Sequence, residues 1–201
     1  MKTRFRGHEE YVPLWHEMQD FTDKRGAKTA DEIWFVEHPP VFTMGLNANE
    51  DHLLNPGDIP VVRIDRGGQV TFHGPGQLMV YSLIDLKRSN IGVRCLVSAL
   101  EQSVVDLAAE YDVTAVTRAN APGVYVDNDK LASVGLRIRR GSSFHGMALN
   151  VAIDFEPFTR INPCGYAELE MTDLHRQGIN LDLEHASEKL LPHFLRHLGP
   201  V

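Results

Sequence analysis

Cysteine is nearly absent from this chain. Of its 201 residues only Cys95 and Cys164 are cysteines, and they form no C-x-x-C pair. That excludes a disulfide framework and a cysteine-built zinc cage. Long apolar runs are missing too: none approaches the roughly 20 residues needed to span a bilayer. The stretch Met1-Lys2-Thr3-Arg4-Phe5-Arg6-Gly7-His8 lacks the apolar core of a signal peptide. A cytoplasmic protein with no membrane role is therefore expected. Positive charge is also in deficit, with 20 Lys and Arg against 27 Asp and Glu and a formal net charge of −7, which disfavours a nucleic-acid partner. There is no internal repeat, low-complexity tract or linker. What is present is ordinary for a globular protein: 43% hydrophobic and 23% charged residues. The length suits one domain over residues 1–201 with a substantial core.

Val12, Leu14, Trp15, Met18 and Phe21 are spaced for a helix with one buried face over Tyr11 to Arg25. The clearest helix runs from Val93 to Tyr111, with Val93, Leu96, Val97, Leu100, Val104, Leu107 and Ala108 on one stripe. Cys95 falls within it and reads as a small packing residue. A third helix is expected over residues 185–198. Asp31 to Glu37, Pro60 to Asp65 and Gln77 to Asp85 read as strands, with a short extended piece at Val41 to Gly45 and a polar loop from Leu46 to Pro56. Gly123 to Val126, Leu131 to Arg139 and Phe144 to Ile153 read as a meander, turning at Asp127-Asn128-Asp129 and Arg140-Gly141-Ser142. Antiparallel hairpins with separate helices make the class α+β.

The densest signal is Arg66-Gly67-Gly68-Gln69-Val70-Thr71-Phe72-His73-Gly74-Pro75-Gly76-Gln77. It holds four glycines, a proline, an arginine and a histidine in twelve residues, between two strands. Glycine allows backbone to approach a ligand closely. A hairpin with a Gly-Pro-Gly turn would explain the glycines equally well. Cys164 sits in Asn162-Pro163-Cys164-Gly165, a tight-turn sequence that could expose sulfur beside backbone N–H groups. Free cysteine is among the most buried residue types, so a packed residue at a bend is the plainer reading of Cys164 by itself. Lys130, just after a hairpin turn, reads by itself as a solvated lysine.

Together three segments resemble the lipoyl(octanoyl) transferase family of lipoate biosynthesis. They are the glycine stretch, Pro122-Gly123-Val124-Tyr125-Val126 through Lys130-Leu131-Ala132-Ser133-Val134-Gly135, and Arg160-Ile161-Asn162-Pro163-Cys164-Gly165-Tyr166. The resemblance implies a single domain with a central mixed, mostly antiparallel sheet flanked by helices, similar to the biotin and lipoate protein ligase catalytic domain. It implies Cys164 as catalytic nucleophile and Lys130 as its catalytic partner. A nearby cation favours the thiolate of a cysteine that would otherwise be mostly protonated. It implies substrate binding by Arg66, Gly67, Gly68, Gln69, Val70, Thr71, Phe72 and His73, by Ser133, Val134 and Gly135, and by Gly146, Met147 and Ala148. The small residues among these leave room for an unbranched acyl chain. Burying six or seven methylenes would contribute about 5 kcal/mol, at about 0.8 kcal/mol each. His73 and His145 read either as proton-handling groups or as structural histidines.

The implied reaction moves an octanoyl group from octanoyl-acyl carrier protein to Cys164, then to a specific lysine of a lipoyl domain. The acceptors would be lipoyl domains of 2-oxoacid dehydrogenase complexes and the glycine cleavage H protein. The implied chemistry needs no metal and no nucleotide, and a monomer is expected. For carrier-protein docking, the basic cluster Arg137, Arg139 and Arg140 is the preferred surface. Three rivals stay open: an ATP-dependent lipoate or biotin protein ligase, a cysteine-dependent acyl thioesterase, and a non-catalytic acyl-carrier-binding module.

Overall fold

The computed structural model describes residues 1–163 and 169–199. Ten strands and three helices follow in the order β1 (Lys2–His8), α1 (Tyr11–Lys24), β2 (Glu32–Glu37), β3 (Val41–Met44), β4 (Val61–Arg63), β5 (Val70–His73), β6 (Gln77–Leu83), α2 (Val93–Ala109), β7 (Ala115–Thr117), β8 (Gly123–Val126), β9 (Asp129–Arg139), β10 (Ser142–Asn150) and α3 (Leu183–Leu198). Seven strands form one sheet in the order β1-β2-β6-β10-β9-β8-β7. Only β1 and β2 run parallel; the other neighbours are antiparallel. This is the expected mixed, mostly antiparallel sheet.

Side chains alternate across that sheet. Ile33, Phe35, Leu78, Val80, Met147 and Leu149 pack against α2 and α3 on one face. Trp34, Met79, Tyr81, Phe144 and Ala148 face α1, meeting its Leu14 and Met18. The helices supply matching stripes. Helix α1 buries Tyr11, Leu14, Met18 and Thr22, while α2 buries Leu96, Ala99, Leu100, Val104, Leu107 and Ala108. Helix α3 is capped by Asp182, whose carboxylate accepts from the His185 amide at 2.8 Å. No helix among the described residues is long and apolar enough to cross a membrane.

Three elements escape the sequence reading. The polar N-terminal segment forms edge strand β1, short β7 closes the other edge, and the glycine stretch contains β5. Strands β4 and β6 do not continue one another across that stretch. β4 pairs with β3, and β3 with β5, in a separate three-stranded sheet. Its outer face, Phe42, Met44, Val70 and Phe72, packs with Ile153, Phe158, Ile161 and Met171. Cys95 also departs from expectation: it lies off the α2 stripe and is exposed.

The chain crosses from the small sheet to the large one through Gly74-Pro75-Gly76. Gly76 has φ +83°. Its carbonyl accepts from the amides of Val151 and Ala152 at 3.0 and 2.9 Å, and its own amide donates to Glu37 at 2.7 Å. A Cβ here would stand 2.0 Å from the Ala152 carbonyl oxygen. Gly76→Ala therefore combines left-handed strain with a clash against backbone, a cost of about 3 kcal/mol. A thermal unfolding scan should show the midpoint falling by roughly 6–12 °C. A shift below about 2 °C would mean that the turn tolerates a side chain.

Candidate functional site

Between the α1 face of the large sheet and the small sheet lies a cavity of about 460 Å³. Its floor follows from strand register. Ser133 is paired with Ala148, and Gly135 with Gly146, across β9 and β10. Two successive rungs of small residues leave a furrow where large side chains would otherwise pack. The next rung, Arg137 opposite Phe144, ends it. The roof is the glycine stretch, fastened where the Gly67 amide donates to the Leu136 carbonyl at 3.0 Å. A Cβ on Gly135 would lie 3.1 Å from Arg66 Cδ and 3.2 Å from the Gly67 oxygen, so roof and floor meet closely there.

Lys130 reaches the same cavity through a break in alternation. Val124 pairs with Ala132 but Tyr125 with Lys130, leaving Leu131 as an extra residue on β9. Leu131 and Ala132 both join the core beneath α2. The bulge thus returns Lys130 to the side of Ser133 and Gly135. Lys130 is only 2% exposed, and its Nζ lies 5.4 Å from the Tyr125 ring centroid. Gly123 makes room for the stem: a Cβ there would sit 2.7 Å from Lys130 Cε. Buried Glu101 of α2 accepts from the Gly123 amide at 2.7 Å. Burial raises the Glu101 carboxyl, against the Gly123 hydrogen bond and the Lys130 charge.

Arg66 is almost wholly buried. It donates to the Gly67 carbonyl at 2.9 Å, and to the Thr43 carbonyl and hydroxyl at 2.8 and 2.9 Å. His73 stacks on Tyr11 at 5.6 Å; burial and the Arg66 charge push its imidazole down to about 3. His145 has φ +59° and a neutral-favouring burial that outweighs Asp65, to which its Nε2 bonds at 3.1 Å. The Asp65 carboxyl is pushed up by burial, but hydrogen bonds from His145 and Trp15 hold it down to about 2.

The cavity lining brings together Arg66, Gly67, Gly68, Gln69, Val70, Thr71, His73, Lys130, Ser133, Val134, Gly135, Gly146, Met147 and Ala148. Phe72 does not join them. It alternates away and packs against Phe42 and Phe158. Cys164, with Gly165 and Tyr166, lies outside the described residues. The chain beyond it returns beside Lys130, whose amide donates to the Glu170 carbonyl at 2.9 Å and whose carbonyl accepts from the Thr172 amide at 3.0 Å. Tyr11, Met79 and Tyr81 also line the cavity and went unread, because at sequence level they look like ordinary core. Glu101 had one signal, a charge placed on the apolar stripe of α2. Among the described residues, no group of three or more His, Cys, Asp or Glu could hold a metal ion. The basic cluster is partly neutralised by the end of α1: Arg139 pairs with Asp23 at 3.0 Å, and Arg140 donates to the Asp23 carbonyl at 2.9 Å.

The buried imidazoles give a pH signature. Burial also pushes His38 down to about 4. Below the ordinary value near 6.5 the unfolded chain takes up protons at His38 and His73 that the folded chain refuses, so acid removes stability. Each should lose about 2 kcal/mol between pH 7 and pH 5. Urea unfolding at the two pH values checks this; equal stabilities would mean that these imidazoles take up protons as readily in the fold as in the unfolded chain.

Residues 13–195 match the family described as the lipoyl protein ligase A/B catalytic domain. The chain is 55% identical over 193 residues to an octanoyltransferase of Chromobacterium violaceum, covering 96% of this chain and 93% of that protein. It is 55% identical over 199 residues to an octanoyltransferase of Shewanella sediminis, covering 99% and 91%. Its fold is similar to the crystal structure of lipoate-protein ligase A bound with ATP, with a TM-score of 0.77, 13% identity, and coverage of 98% of this chain and 86% of that one. The chain belongs to the lipoyl protein ligase A/B catalytic domain family.

Proposed function

We propose that this protein is an octanoyltransferase of protein lipoylation. It moves an octanoyl group from octanoyl-acyl carrier protein to a specific lysine of a lipoyl domain, through a thioester on Cys164. The observation that carries the reading is the furrow: a cavity floored by Ser133, Gly135, Gly146 and Ala148, roofed by Arg66 to Thr71, with buried Lys130 in its lining. Identity of 55% over nearly the whole chain to proteins named octanoyltransferase supports it.

In the first step the Cys164 thiolate adds to the donor thioester carbonyl. The carrier's thiolate leaves and takes a proton, and octanoyl-Cys164 remains. In the second step the acceptor lysine's neutral amine attacks that thioester. The amine loses a proton and the Cys164 thiolate departs, leaving an amide. Splitting the transfer in this way exchanges thioester for thioester before the downhill amide step. Lys130 stabilises the thiolate in the first step and assists proton removal in the second. Its burial strengthens its interaction with a nearby anion by excluding water. The acyl chain lies in the furrow, where apolar contact with Met79 and Ala148 favours methylenes over water. The acceptor set comprises lipoyl domains of 2-oxoacid dehydrogenase complexes and the glycine cleavage H protein, and the enzyme acts in the cytoplasm as a monomer.

The ligase rival shares this fold but activates its acid with ATP, which gives the test. Incubated with octanoyl-acyl carrier protein and a lipoyl domain, the wild type should form octanoyl-lysine with no nucleotide present. Lys130→Ala should lower that rate by about a hundredfold or more. A strict ATP requirement would move the assignment to a ligase, and accumulation of free octanoate in place of modified domain would move it to a thioesterase.

A further inference from the structure

Six hydrogen bonds in sequence link Arg66 in the roof of the cavity to the Lys130 backbone. Arg66 Nη2 donates to Thr43 Oγ1 at 2.9 Å. Thr43 Oγ1 meets His73 Nε2 at 3.1 Å, and His73 Nδ1 meets Gln77 Oε1 at 2.7 Å. Gln77 Nε2 donates to Asn150 Oδ1 at 2.8 Å. Asn150 Nδ2 donates to the Thr172 carbonyl at 2.9 Å, and the Thr172 amide donates to the Lys130 carbonyl at 3.0 Å. Thr43, His73, Gln77, Asn150 and Thr172 are all at most 3% exposed.

Donor chemistry fixes the direction of the chain. The Thr172 carbonyl only accepts, so Asn150 turns its NH2 group to it and its Oδ1 to Gln77 Nε2, which leaves Gln77 Oε1 facing His73. The imidazole must then carry a proton on Nδ1 to give to Gln77 Oε1. Held neutral by burial, it accepts at Nε2 from the Thr43 hydroxyl, which itself accepts from Arg66. Every bond points from Arg66 towards Lys130; the bonds from Arg66 to the Thr172 carbonyl are aligned so as to polarise one another, and the Thr172 backbone carries the link on to Lys130. The chain also crosses from the small sheet, through β3 and β5, to the Gln77–Asn150 pair that joins β6 to β10. Thr43, Gln77 and Asn150 do not line the cavity, so they have no substrate to bind.

We propose that Thr43, Gln77 and Asn150 are positioning residues for acyl transfer: with His73 they form a one-directional hydrogen-bond chain that holds the Arg66 roof in register with Lys130. The proposal rests on the octanoyl-transfer reading for its catalytic consequence, but not for its geometry. Thr43→Val keeps the shape and removes the hydroxyl, while Thr43→Ser restores the hydroxyl without the methyl. A loosened roof costs alignment more than affinity. Thr43→Val should therefore lower kcat about ten- to a hundredfold and change the donor KM less than about threefold. Thr43→Ser should recover most of the rate.

The second arm needs no variant of the chain members to fold. Long-range ¹H–¹⁵N spectra of the wild-type protein at pH 7 should show His73 neutral and protonated on Nδ1. An Nε2–H tautomer or an imidazolium would overturn the proposal, as would a Thr43→Val enzyme with wild-type kcat or a Thr43→Ser enzyme as slow as Thr43→Val. If the wild type transfers no octanoyl group, the functional reading fails, and the His73 tautomer still decides whether the chain exists.

Discussion

The structure depends on one face of its main sheet being left partly empty. Protein interiors are packed about as densely as organic crystals. On the α2 side that rule holds, with Ile33, Phe35, Leu78, Val80, Met147 and Leu149 packed against the helices. On the α1 side it holds around Trp34, Tyr81 and Phe144 but stops at the Ser133–Ala148 and Gly135–Gly146 pairs. The space so left is useful only if something fixes its roof. The small sheet does this, carrying Arg66 to Thr71 over the furrow and fastening Gly67 to Leu136.

Holding that roof requires buried polar groups, and buried polar groups are tolerated only when paired. The pairings that hold the cavity wall are therefore also pairings that the fold requires. Arg66 is tied to Thr43, His73 to Gln77, and Glu101 to the Gly123 amide beside Lys130. The bulge at Leu131 fits this logic. Without the extra residue, β9 would aim Lys130 into the apolar core beneath α2, where an ammonium is costly. With it, the lysine joins the cavity wall. Acid sensitivity follows from the same design, since imidazoles held neutral by burial must be protonated on unfolding at low pH.

Much of this was legible in the sequence. Periodicity marked α1, α2 and the meander of β8, β9 and β10, because their apolar positions repeat with clean spacing. The glycine stretch announced a site and contributes most of the cavity roof. Other features were not legible, each for a physical reason. Strand β1 is polar and pairs along one edge, so it carries no hydrophobic alternation. β5 is only four residues long and sits inside glycines. Phe72 belongs to the same motif as its neighbours, yet strand alternation turns it to the opposite face. Thr43, Gln77 and Asn150 have no local signature, because their roles arise from pairing between residues far apart in the chain. Cys95 read as packing from its helix, but the stripe passes one residue to its side.

The central claim is that the furrow presents an acyl thioester to Cys164 beside Lys130. Peptide mapping by mass spectrometry, after brief incubation with octanoyl-acyl carrier protein and no acceptor domain, tests it most directly. The account predicts an octanoyl group on the peptide containing Cys164 and none on the exposed Cys95. An adduct on Cys95, or transfer to an added lipoyl domain with no acylated enzyme formed, would contradict it.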